Sequence, residues 1–151
     1  MKRYAIEREG SFEHPLFYLN IYGKNRPLRF MLDSGCNSNA ISPLVLEFFE
    51  FYETEIQEDV ITAGGLTKSD VYVIKARLSE DDSPIALSMT SLNFEVALAL
   101  KSRNCVGLLG AQFLQCCRID FRNLWLEVPE KGGAFSLLKI GGKHLKSLKN
   151  K

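Results

Sequence analysis

Apolar side chains alternate with others through Leu16-Phe17-Tyr18-Leu19-Asn20-Ile21-Tyr22, placing Phe17, Leu19 and Ile21 on one face of a predicted strand. Gly23-Lys24-Asn25-Arg26-Pro27 supplies turn chemistry. Leu28-Arg29-Phe30-Met31-Leu32 then returns with Leu28, Phe30 and Leu32 on one face, giving a hairpin whose second strand ends at Asp33. A polar loop runs on to Asn39. Ser42-Pro43, a capping hydroxyl before a first-turn proline, predicts a helix from about residue 43 to residue 52. Val60-Ile61-Thr62 reads as a strand, Gly64-Gly65 as a hairpin tip that accepts positive φ, and residues 71–78 as the returning strand. Glu80-Asp81-Asp82-Ser83-Pro84 is a loop by composition, and residues 85–100 are expected to return as strands. Residues 106–110 predict a buried strand ending at a glycine, followed by a short helix at 111–115. Arg118-Ile119-Asp120-Phe121 and Leu124-Trp125-Leu126-Glu127-Val128 bracket Arg122-Asn123 as a last hairpin. Many short strands with two short helices predict a mostly β fold, a small barrel or sandwich.

Composition narrows the function classes. A chain of 151 residues suits one domain, and at that length folding buries roughly 70% of the unfolded surface without help from a disulfide or metal. Apolar residues make up 46% and charged residues 25%, as in globular domains. Nineteen basic and 18 acidic residues leave a formal charge of +1, so nothing electrostatic argues for nucleic acid or a membrane surface as partner. No apolar run approaches the roughly 18 residues a spanning helix needs, and charges fill the N-terminus where a signal peptide needs its apolar stretch. Cys36, Cys105, Cys116 and Cys117 lack paired C-x-x-C spacing, and His14 and His144 lie in the terminal segments. The expectation is four free thiols in a reduced, cytoplasmic protein without a structural metal. After Glu130 come six lysines and no acid, read as a solvated, frayed tail.

The chemistry concentrates in Asp33-Ser34-Gly35. Alone, that triplet is an ordinary turn, since each residue favours turns for local reasons. Here it directly follows Phe30-Met31-Leu32, so the carboxylate is expected to be partly desolvated. Leu108-Leu109-Gly110-Ala111-Gln112-Phe113-Leu114 is likewise unremarkable alone, a buried strand passing into a helix. Together, Phe30-Met31-Leu32-Asp33-Ser34-Gly35-Cys36 and the Leu108 segment resemble the retropepsins, the retroviral-type aspartic proteases and their cellular relatives.

The resemblance runs from about Leu16 to Val128. It implies a small closed β-barrel of the retropepsin type with one or two short helices. The chain then divides into an N-terminal segment (1–15), a protease domain (16–128) and a basic C-terminal tail (129–151). Asp33 matches the catalytic position, Ser34 the hydroxyl that braces the paired loops across a dimer, and Gly35 the backbone beside the carboxylates. Leu108, Leu109 and Gly110 match the strand that crosses beside that loop. Ala63, Gly64, Gly65 and Leu66 fall where the family places its flap tip, the hairpin that closes over a bound peptide. Cys36 stands where alanine is commoner and reads as a small buried apolar residue. Asn37, Ser38 and Asn39 either shape substrate subsites or are simply solvated.

The implied reaction is attack of water on a peptide carbonyl, in which one group takes a proton and another donates one. Two carboxylates sharing a proton do both. At ~3 Å and an effective dielectric of ~20 two full charges would repel by roughly 5 kcal/mol, so the pair holds one proton, as is known of aspartic-protease dyads generally. The sequence has one Asp-Ser-Gly, so the second must come from a second chain across a twofold axis. The expectation is a cofactor-free homodimeric aspartic endopeptidase acting on a peptide or protein substrate. The alternative from another class is a catalytically silent dimer of the same fold that binds peptides or assists assembly.

Overall fold

The computed structural model of the chain describes residues 2–62, 64–128 and, as backbone alone, 145–150. Twelve strands are found there: β1 (Lys2–Ala5), β2 (Glu7–Glu9), β3 (Leu16–Tyr22), β4 (Pro27–Leu32), β5 (Ala40–Ile41), β6 (Glu50–Thr62), β7 (Gly65–Ala76), β8 (Ile85–Ser91), β9 (Gly107–Leu109), β10 (Arg118–Asp120), β11 (Trp125–Val128) and β12 (Leu145–Asn150). The helices are a 3-10 turn at Pro43–Phe48, α1 (Phe94–Lys101) and α2 (Ala111–Leu114).

Among the described residues the strands form two open sheets rather than one closed barrel. One has the order β1-β11-β10, the other β12-β6-β7-β8-β5-β9-β4-β3-β2. Closure would require β2 and β12 to pair with each other, and each instead ends the sheet. Most neighbours are antiparallel, but β4 pairs with β9 in parallel, as does β5 with β8. The first parallel pair positions the site. β9 comes late in the chain yet lies between β4 and β5, so the loop joining β4 to β5 must arch past its end.

Alternation on the central strands builds two apolar layers. Leu19 and Ile21 of β3, Leu28 and Phe30 of β4, and Leu109 of β9 point into the main core with Phe49, Leu87, Met89 and Phe113. Their neighbours along the same strands point the other way, because successive strand side chains face opposite sides. Tyr18, Met31 and Leu108 pack there against Leu100 of α1 and Cys105. The sheet beneath Asp33 is therefore covered on both faces, a burial that stabilises it by roughly 25 cal/mol per Å² of apolar area.

Several sequence expectations meet a different outcome. The helix expected to reach residue 52 stops at Phe48. Ser42 does cap it, its hydroxyl accepting from Leu44 N at 3.3 Å. However, Phe49 is fully buried and extended at φ −123°, and the aromatic and β-branched Phe51, Tyr52, Thr54 and Ile56 favour the strand that follows. Residues 85–100 are not all strand, since α1 begins after Asn93. The Asn93 side chain accepts from Val96 N at 2.9 Å, and Ala97 and Leu100 form the buried helical stripe. The Ala-Leu-Ala-Leu run alternates like a strand while consisting of strong helix formers. Residues 2–9, read as part of an N-terminal segment, form β1 against β11 and β2 against β3, with Ile6 buried between them. In the segment read as a frayed tail, residues 145–150 pair with β6; residues 129–144 lie outside the described residues.

Candidate functional site

Strand β4 ends at Leu32, and Asp33 takes the next position, held from both sides. Its backbone N–H donates to the Leu109 carbonyl at 2.9 Å, which continues the parallel β4–β9 ladder by one bond. Its side-chain Oδ1 accepts from Gly35 N at 3.0 Å and its carbonyl from Cys36 N at 3.1 Å. The carboxylate is half-buried, while Ser34 and Gly35 are exposed. Asp33, Ser34 and Gly35 thus form one turn beside Leu108, Leu109 and Gly110, with Met31 opposite Leu108 and Leu32 opposite Leu109. These two groups of predicted residues are brought together.

What locks them is the exit of the chain from β9. Ala111 N donates to the Cys36 carbonyl at 2.7 Å and Gln112 N to the Asn37 carbonyl at 2.9 Å, so α2 begins as a clamp under the loop. Gly110 lies so close that a Cβ there would collide with the backbone oxygens of Ser38 and Cys36. Only glycine fits. Asn39, fully buried, ties the remaining edge. Its Oδ1 accepts from Gly110 N at 3.0 Å, and its Nδ2 donates to the Ser88 carbonyl at 3.2 Å. A buried amide with both ends satisfied fixes position in a way a solvated one does not. Asn39 is thus a structural tether and not one of the solvated loop residues.

The four cysteines form no disulfide. The Cys36 thiol donates to the Ser38 carbonyl at 3.2 Å. Burial pushes its pKa above the ordinary value, the neighbouring Asp33 charge adds to this and Glu58 adds less, while the Ser38 backbone contact opposes them. Such a thiol stays protonated near neutrality and is a poor nucleophile.

The β6–β7 hairpin is tied to this loop through Glu58 and Ser38. Its ladder runs to Ile61 opposite Leu66 and Thr62 opposite Gly65. Gly65 has φ 110°, the positive region expected of a tip glycine, and a Cβ there would meet nothing within 4 Å. Gly64, Gly65 and Leu66 are at the tip as expected; Ala63 lies outside the described residues. The tip borders a cavity of about 550 Å³ shared by residues 64–67 and 93–95. Leu66 and Ile61 are 69% and 86% exposed, unusually open for large apolar side chains.

Sequence reasoning missed Glu58 and Thr90. Glu58 Oε2 accepts from Ser38 Oγ at 2.6 Å and from Thr90 Oγ1 at 3.1 Å, linking the hairpin to the loop and to β8. The available signal was a charge within the alternating run Thr54, Ile56, Glu58, Val60, on the face that turns inward.

No protein-family model matches the sequence, and no curated protein matches it. Among solved structures the fold is similar to that of a retropepsin-like aspartic protease from Rickettsia conorii. The TM-score is 0.50 and the identity 19%, over 83% of this chain and 98% of that one. The likeness supports the fold expected from the two motifs. Among the described residues no helix is long and apolar enough to cross a membrane.

Proposed function

We propose that the chain is an aspartic endopeptidase in which water attacks a peptide carbonyl between two Asp33 carboxylates, one from each subunit of a homodimer. The observation that carries this reading is the placement of Asp33, half-buried and braced by Gly35 N and Leu109 O at the mouth of the β4–β9 pair. A carboxylate oriented by one backbone N–H, on a residue whose own N–H is tied to the sheet, and left partly open is preorganised to act on a reactant. The likeness to a retropepsin-like aspartic protease supports the same direction.

In the proposed dimer the two Asp33 groups share one proton. The ionised partner takes a proton from water as it attacks, and the protonated partner gives one to the carbonyl oxygen. Ser34, exposed at the turn, braces the opposing loop. The β6–β7 hairpin lies over an extended peptide and excludes water from it, with Gly64, Gly65 and Leu66 at its closing edge. No cofactor takes part.

Subunit mixing tests the shared site. Wild type mixed with an equal amount of Asp33→Asn chain, under conditions of exchange, re-pairs at random. About one quarter of twice as many dimers are then wild-type homodimers, so total activity falls to about half. Specific activity of wild type alone should also fall on dilution below the dimer dissociation constant. Undiminished activity in both experiments, with exchange verified by mass spectrometry, would sink the shared-site reading. A chain that binds peptides and never cuts them is the assembly module instead.

A further inference from the structure

The two faces of the β6–β7 hairpin treat charge differently. On the outer face the polar groups are matched within the hairpin: Lys68 Nζ pairs with Asp59 at 2.9 Å, and Gln57 Nε2 donates to Asp70 at 3.0 Å. Glu58 lies between them in sequence and so points the other way, opposite Ser69 in the ladder. It is half-buried, and its contacts are two hydroxyl donors, Ser38 Oγ and Thr90 Oγ1, both on Oε2. Neither of those bonds uses Oε1.

Among the described residues no lysine or arginine forms an ion pair with Glu58, and none does so with Asp33. Hydroxyls orient a carboxylate but leave its charge in place. The charges acting on the Cys36 thiol between them are those of Asp33 and Glu58, both negative. Two negative charges therefore act near Cys36, and Glu58 is the one set as a directed acceptor by the loop, the hairpin and β8. A half-buried charge oriented by its neighbours and left without a counter-ion gains most from a cation supplied by a ligand.

We propose that Glu58 is a specificity-determining residue, selecting peptides that place a lysine or arginine side chain beside it. The inference rests on the endopeptidase reading and deepens it. Oε1 receives the ammonium or guanidinium, while Ser38 and Thr90 hold Oε2.

The test uses extended peptides in matched pairs, lysine or norleucine at one position at a time. Binding to the Asp33→Asn chain of 151 residues is read by fluorescence anisotropy, and cleavage by wild type is measured in parallel. At one position the lysine peptide should bind at least about tenfold more tightly than its norleucine partner. Glu58→Gln, which keeps an oxygen acceptor for both hydroxyls, should bring that ratio to about one. Glu58→Lys should turn the preference toward a glutamate peptide, and thermal melting of each variant verifies that it is folded. A ratio near one at every position in the Asp33→Asn chain, absent binding included, overturns the proposal. A ratio that survives in Glu58→Gln overturns it as well. Wild type that cuts peptides without a lysine preference sinks the role of Glu58 and leaves the peptidase reading standing. A lysine preference in binding, lost in Glu58→Gln, with no cleavage by wild type, does the reverse.

Discussion

Two glycines mark two regions built on opposite terms. Gly110, where β9 leaves the sheet, is so enclosed that one added carbon would strike two backbone carbonyls. Gly65, at the tip of the β6–β7 hairpin, has nothing within 4 Å of the place where that carbon would be. Around Gly110 the sheet is covered on both faces, and Asn39, Ala111 and Gln112 hydrogen-bond across the chain crossing. Around Gly65 the apolar side chains face solvent, Ile61 and Leu66 most of all. The difference separates a floor that fixes a carboxylate from a hairpin tip whose apolar side chains stand open to solvent. Local stability follows buried contact, so opening is expected at the tip and not at the loop.

The largest effect expected is at the floor's carboxylate, the catalytic group of the proposed reaction. Asp33→Asn keeps an oxygen to accept from Gly35 N, so the variant should melt close to wild type while kcat falls by several orders of magnitude. Measuring both on one preparation decides it, and wild-type cleavage rates in the variant would refute the catalytic assignment. Gly110→Ala should instead cost stability, about 3 kcal/mol, because its new contacts are with backbone that cannot rotate away. Urea unfolding checks this; a midpoint like that of wild type would mean that the crossing is looser than its geometry. Gly65→Val strains a residue at φ 110°, although its Cβ would meet nothing within 4 Å. Its loss of stability should stay within about 2 kcal/mol, while KM rises or kcat falls for any peptide the hairpin covers. A large fall in melting temperature with normal kinetics would make Gly65 part of the floor.

The smallest effect lies away from both regions and serves as their control. Asp82 is partly desolvated, which alone would raise its pKa. Lys2 Nζ and Tyr4 OH, each at 2.6 Å, and Ser79 more than offset this and hold it below the usual value. A carboxylate depressed in the folded state contributes stability above its unfolded pKa and loses it as pH falls through the folded one. Wild type should therefore be more stable than Asp82→Asn at neutral pH, and the two should converge below about pH 4. Chemical denaturation across that range, with parallel curves at all pH values, would remove the ion pair from the account.

The floor was largely legible in the sequence, and the reasons are local. Asp33 follows an apolar strand and precedes two turn residues, and Leu108-Leu109-Gly110 announces a buried strand with a tight exit. Asn39 was not legible, because an asparagine in a polar loop gives no sign that both ends of its amide will be buried and bonded. Glu58 was hidden in an acidic stretch, where one inward carboxylate looks like its outward neighbours until the bulge between Glu53 and Gln57 sets the register. Residues 2–9 were obscured by charge. Their strands are edge strands, and edges carry charged side chains that mask the pattern by which strands are recognised.

The lateness of β9 has a consequence in time. Residue 33 leaves the ribosome well before the strand that supports it, residues 107–109, and the clamp beneath its loop, residues 110–112. A pairing between such distant stretches must first close a long loop, so it is slow to form compared with the β3–β4 hairpin. Until that happens the carboxylate sits on a flexible turn without its scaffold. Synthesis therefore withholds the assembled loop from any nascent chain that has not passed α2, and an incomplete copy carries the motif without its support.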